Sequence, residues 1–123
     1  MKPQESDFPS YDSSYPGAYS KLLLYGGQGD MDSSVRIFNK EGDAYGFLTD
    51  ISYVVDFSNH IEYFLSATIS CNSDGIYNDD HYDYDNVGYP FMKHLGEAIY
   101  RYELQRKREV VPDLSKFKIN YGK

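Results

Sequence analysis

Between Ile61 and Cys71 the chain alternates with a period of two, with Ile61, Tyr63, Leu65, Ala67, Ile69 and Cys71 at odd positions and Glu62, Phe64, Ser66, Thr68 and Ser70 at even ones. This period puts the odd side chains on one face of a strand, and that apolar face has to be covered. Just before it, Asp56 to His60 reads DFSNH, turn residues that return the strand antiparallel to the run ahead of them. That run carries Phe47, Ile51, Tyr53, Val54 and Val55, and an earlier one carries Val35, Ile37 and Phe38. Both are rich in the β-branched and aromatic residues that suit a pleated surface. A three-stranded antiparallel meander over about 35–42, 46–57 and 61–71 is therefore expected. Between its first two strands lies Lys40-Glu41-Gly42-Asp43-Ala44-Tyr45-Gly46. Its two glycines permit a tight turn or the close approach of another backbone.

The remaining segments add helices and loops. Pro3, Pro9 and Pro16 rule out a helix or central strand near the start, so residues 1–17 read as an extended arm. Ala18 to Tyr25 is a short apolar patch ended by Gly26-Gly27, which predicts a two-turn helix over about 18–25. The polar stretch over 72–89 reads as an acidic, tyrosine-rich loop. Pro90 then opens a segment in which Phe91, Leu95, Ala98, Ile99 and Tyr102 recur at three and four, predicting a helix over about 90–108 with that stripe buried. Arg106-Lys107-Arg108 complements the negative end of its dipole, Pro112 stops it, and 112–123 is a tail. The fold class is α+β, in one domain of 123 residues.

Charge narrows the function. The formal net charge is -7, with 4 basic and 15 acidic residues through Phe91 against 8 and 4 beyond it. An acidic body with one small basic cluster disfavours nucleic acid, whose phosphates need a broad positive surface. A single cysteine, Cys71, excludes an intramolecular disulfide and a thiolate-rich zinc site. No run of about 18 apolar residues spans a membrane, and Met1 to Ser6 lacks the apolar core of a signal peptide.

Most candidate chemistry has a simpler structural reading. His60, His81 and His94 fall on a turn, a loop and a helix without metal-ligand spacing. Asp74, Asp79, Asp80, Asp83 and Asp85 lack the glycine and closing glutamate of a calcium loop, so a solvated acidic loop is the simpler account. Cys71 reads as a half-buried thiol at a strand end, and neither Ser52 nor Ser66 sits in a nucleophile elbow. No cofactor is implied. Lys40-Glu41-Gly42 differs, because a lysine at the end of an edge strand can offer its ammonium to an anion while the glycine admits that ligand's backbone, although on spacing alone a structural strand end is the simpler account here too.

In order and spacing, Lys40-Glu41-Gly42, Tyr45-Gly46, Asp50-Ile51-Ser52, the strand from Ile61 to Cys71 and the helix from Pro90 to Arg108 resemble serine hydrolases of the class A β-lactamase and penicillin-binding-protein type. In that family a Lys-Thr/Ser-Gly motif lies on the edge strand beside the active site. The resemblance covers about 75 residues, and the stretch NKEGDAYGFLTD looks most like the β-lactamase-related hydrolases. It implies that Lys40 shapes the site's electrostatics, Gly42 admits the substrate and the backbone N–H of Asp43 is an oxyanion donor. Glu41 stands where the family carries a hydroxyl that helps bind the substrate carboxylate, which turns the expected ligand away from a β-lactam. The family's Ser-x-x-Lys nucleophile, Ser-Asp-Asn motif and acidic Ω-loop residue come earlier in its chains, and this chain is read as carrying none of them. The chain thus reads as a partial domain, the C-terminal part of such a hydrolase. It is expected to be inactive alone and to take a small-molecule or peptide-like substrate once completed. Relatives of this type are exported or periplasmic. The family's neighbouring strands are missing, which leaves the 61–71 edge open for association. The alternative is a small binding module that uses the acidic tyrosine-rich loop.

Overall fold

The computed structural model describes residues 14–119. Most of the expected arm and the last residues of the tail lie outside them. The sheet is a three-stranded antiparallel meander in the order β1-β2-β3, formed by Val35–Ala44, Phe47–Asp56 and Ile61–Ser70. β1 runs past its expected end at 42, so Lys40 lies within the strand opposite Ile51 rather than at a bend. The bend is the two-residue turn Tyr45-Gly46, with φ of 52° and 85°. Two positive φ angles match the twist of the strands they join. Gly46 is fixed twice over, since a Cβ there would also sit 2.6 Å from that of Asn72. The second turn is organised by Asp56, whose carboxylate accepts from the Ser58 and Asn59 amides and from Asn59 Nδ2.

The expected helix over 18–25 is reduced to one distorted turn, α1, at Leu22–Tyr25. Ser20 at φ 57° and Leu24 at φ 84° break the helical path around it. For a bulky residue such as Leu24 that conformation costs about 1–3 kcal/mol and persists only where the surroundings impose it. Here the sheet and the second helix do so. The Leu23 N–H donates 3.0 Å to the buried carboxylate of Asp50, and the Leu24 backbone lies in the space left by the missing Cβ of Gly96.

The second helix, α2, runs Tyr89–Gln105 instead of 90–108. Arg106 turns extended, and Arg106 and Arg108 fold back 2.9 and 2.7 Å onto the buried carboxylate of Glu103 rather than extending the helix. The buried stripe is Met92, Gly96 and Glu103, one position round from the expected one. Phe91, Ala98 and Tyr102 are exposed, while Leu95 and Ile99 are half-buried. The reason is the glycine: helix and α1 approach closest along it, so the Gly96 face turns inward.

Both helices cover one face of the sheet. Leu22, Leu23, Leu48, Cys71 and Met92 form one core cluster, and Ala18, Met31, Val35, Ile37 and Val54 the other. Each leucine, isoleucine, valine or methionine among them contributes about 1.5–3 kcal/mol by burial. The loop over 72–89 is not wholly irregular, since Tyr84–Gly88 forms a π-helical turn leading into α2. In the tail, a 3-10 turn at Ser115–Phe117 brings Phe117 onto the opposite, outer face, 5.8 Å from Phe38 and 5.4 Å from Tyr53. Beyond it Phe47, Ile51 and Phe64 remain exposed. No helix among the described residues is long and apolar enough to cross a membrane.

Candidate functional site

Two hydrogen bonds fix which main-chain groups of each strand point where. The Cys71 N–H donates to the Gly46 carbonyl on the β3 side, and the Phe57 N–H donates to the Ser34 carbonyl on the β1 side. Successive residues of a strand alternate in this respect. Odd residues of β2 therefore bond to β1, and even ones to β3. By the register, the even residues of β1 are bonded to β2. Asn39, Glu41 and Asp43 turn their N–H and C=O groups away, to an edge that no other described strand covers.

On this edge the four residues singled out by sequence fall into two groups. Lys40 and Gly42 lie on the outer face, and the exposed Lys40 ammonium curls back to the carbonyl of Glu41. The side chains of Glu41 and Asp43 lie on the inner face, where they line a cavity of about 270 Å³ with Tyr19, Leu48 and Tyr89. Lys40 and Glu41 are thus not brought together through their side chains, because a strand sends neighbours to opposite faces. The backbone N–H of Asp43 points outward from this edge, beside a glycine. Gly42 has no internal justification: its φ is not in the left-handed region, and a Cβ there would meet nothing within 4 Å.

Under the edge lies a polar network that the sequence reading missed. The buried Lys21 Nζ donates 2.6 Å to Asn39 Oδ1, and Asn39 Nδ2 donates to Asp50 Oδ1 at 3.0 Å and to the Ser20 carbonyl at 2.7 Å. Burial lowers the pKa of Lys21, against the pull of the Glu41 and Asp50 carboxylates. The buried hydroxyl of Ser52, across from Asn39, has no hydrogen-bond partner among the described residues. A signal was present: Asp50, Ser52 and Asp56 alternate with Leu48 and Val54 on one face of β2, polar residues at core positions. The network ties the segment over 20–23 to β1 and β2 and so stiffens the strand that carries the edge.

The other candidates are dispersed. His81 lies 3.8 Å from Asp79 and His94 lies 3.4 Å from Glu97, both at the surface. Asp74, Asp79 and Asp83 accept backbone N–H groups of the 72–89 loop itself, and no group of three or more His, Cys, Asp or Glu side chains among the described residues is placed to hold a metal. Burial, with Asp83 nearby, pushes the Cys71 thiol up, away from the nucleophilic thiolate. One Ser-x-x-Lys spacing does occur, at Ser115 to Lys118, after the Lys-x-Gly strand instead of before it. Ser115 is exposed, with its N–H on Asp113, and the Lys118 ammonium lies 5.9 Å from the centre of the Phe57 ring. Comparison with protein families, curated proteins and solved structures finds no match to this chain.

Proposed function

We propose that this chain is the C-terminal part of a β-lactamase-like serine hydrolase and supplies one wall of its active site. The observation that carries the reading is the outward N–H of Asp43, on an edge that no other described strand covers, beside a glycine that no packing among the described residues explains. An extended substrate laid along β1 bonds to the main-chain groups of Glu41 and Asp43, and the absent Gly42 side chain lets it come close. When a serine from another segment attacks the substrate carbonyl, the developing oxyanion accepts from the Asp43 N–H, a role that requires geometry and no particular side chain. Lys40, two residues before Gly42 and exposed, adds positive potential to the same side. Glu41 lies on the inner face beside Lys21 and does not meet the substrate from the Lys40 side.

The test joins the chain to the coding sequence that precedes it in frame and measures nitrocefin and p-nitrophenyl ester hydrolysis. The joined protein is expected to hydrolyse the ester, and Lys40→Ala to lower its kcat/KM by about 100-fold, while Asp79→Asn with Asp80→Asn changes nothing. The chain over 1–123 alone is expected to show no turnover. Ester hydrolysis by that chain, abolished in Ser115→Ala, or an unaffected Lys40→Ala in the joined protein, overturns the reading.

A further inference from the structure

The second uncovered edge, that of β3, has a different character. Even residues of β2 bond to the odd residues of β3, so Glu62, Phe64, Ser66, Thr68 and Ser70 turn their main-chain groups outward. No described strand pairs with them. The ladder to β2 is continuous over ten residues with no bulge, and after Glu62 the strand carries neither a charge nor a proline. These are the devices by which edge strands ordinarily resist pairing, and they are missing here.

Above this edge lies an apolar flank of α2. Lys93 packs against Gly26 and Gly96 against Leu24, so α1 occupies that side of the helix. At about 100° per residue, Leu95, Ile99 and Tyr102 fall on the other side of Gly96. Leu95 belongs to the same cluster as Leu65, Ala67 and Ile69, which places this flank over β3. Phe91 and Tyr102 continue it and are exposed. An unpaired strand edge and an unpartnered helix flank thus open in the same direction.

We propose that this surface joins two copies of the chain, β3 pairing antiparallel with β3 of the second copy about a two-fold axis at Ser66. The occupant follows from self-complementarity. Centring on Ser66 sets outward groups against outward groups and forms five hydrogen-bonded pairs. It opposes Tyr63 to Ile69, Phe64 to Thr68, Leu65 to Ala67 and Ile61 to Cys71, a larger residue to a smaller one each time. Aromatic with β-branched pairs are among the favourable cross-strand contacts. Glu62, the one charge on the strand, meets Ser70 and not its own copy, so the pairing brings no like charges together. The result is a six-stranded sheet with the two α2 flanks facing across the axis, an isologous arrangement that closes on itself. It leaves the β1 edge untouched and does not rest on the hydrolase reading, under which the neighbouring strands of a completed domain would take the β3 edge in its place.

Sedimentation equilibrium of the whole chain at about 0.1 mM is expected to give twice the chain mass of 14.2 kDa. Ser66→Lys sets two ammonium groups against each other at the axis without touching a bond inside the chain, and is expected to give the single mass with an unchanged far-UV circular dichroism spectrum. A directly opposed hydrogen-bonded pair has Cα and Cβ atoms about 5.5 Å apart, too far for an unstrained disulfide but within reach of a short bis-methanethiosulfonate cross-linker. Ser66→Cys is therefore expected to be joined to its copy by that reagent, and Thr68→Cys, which faces Phe64, is not. A wild-type monomer, or equal cross-linking of the two cysteine variants, overturns the proposal.

Discussion

Gly96→Ala sets two effects of opposite sign against each other. In an isolated helix the change is favourable by about 1 kcal/mol, because glycine has the larger backbone entropy to lose. In this helix the added Cβ would stand 2.0 Å from the Leu24 N, 2.6 Å from its Cα and 2.9 Å from the Leu23 carbonyl carbon. All three are backbone atoms, so no rotamer change relieves the clash. The helix and α1 have to separate, which costs about 1–3 kcal/mol of overpacking. Separation also pulls the Leu23 N–H from the Asp50 carboxylate, a bond to a charged group worth about 1.5–3 kcal/mol. The net expectation is a loss of about 2–4 kcal/mol. In urea, at a slope of about 1.5–2 kcal/mol per molar, the unfolding midpoint falls by about 1–2.5 M. Gly42→Ala is the internal control: nothing lies within 4 Å of its Cβ position, and stability should stay within about 0.5 kcal/mol. A Gly96→Ala protein as stable as the wild type would refute the claim that this glycine sets the helix rotation and the distortion of α1.

Two further substitutions probe the buried polar residues of β2. Burial opposes the charge of Asp56, but hydrogen bonds from Tyr100, at 2.5 Å, and from Asn59 and Ser58 outweigh it and hold its pKa below the ordinary carboxylate value. A depressed pKa contributes stability that is present above the unfolded value of about 3.9 and is lost as pH falls through the folded one. The difference in melting temperature between wild type and Asp56→Asn should therefore be wide at neutral pH and close below about pH 4, and a gap that is constant from pH 2 to 7 contradicts this account. Ser52→Ala removes a buried hydroxyl with no partner among the described residues, and should stabilise the chain by about 1 kcal/mol in the same urea titration. A loss of more than about 0.5 kcal/mol would mean that the hydroxyl is paired.

The sheet was legible because its information is local. The alternation over 61–71 and the turn residues at Asp56 to His60 determine strands and connection without reference to anything distant. What the sequence hid depends on contacts between remote segments. The period of α2 was read correctly but its rotation was not, since Phe91, Leu95, Ala98 and Tyr102 satisfy the periodicity as well as Met92, Gly96 and Glu103 do. Only the meeting with Leu24, 72 positions away, decides between them. The α1 segment failed for the same reason, its left-handed Leu24 being imposed by that contact. At the candidate site, Lys40, Gly42 and the Asp43 amide were singled out through the resemblance of their order along the chain. Lys21 was not, because its partner Asn39 is 18 residues away and neither belongs to a motif.

The two edges of the sheet differ in how strongly their side chains deter pairing with another strand. β1 carries Arg36, Lys40, Glu41 and Asp43 among its ten residues, and charges of both signs on an edge deter pairing with another chain. On the proposed reading a small extended ligand would meet no such barrier, since it would engage only the main-chain groups around Gly42 and could bring a charge suited to Lys40. β3 has one charge, at its first turn, and pairs without penalty. The difference is in side chains and not in backbone, because both edges present the same alternating N–H and C=O groups. Transferring the guard tests the distinction: charges placed on β3 should abolish association while leaving the β1 edge as it is, which is why Ser66→Lys separates the two surfaces.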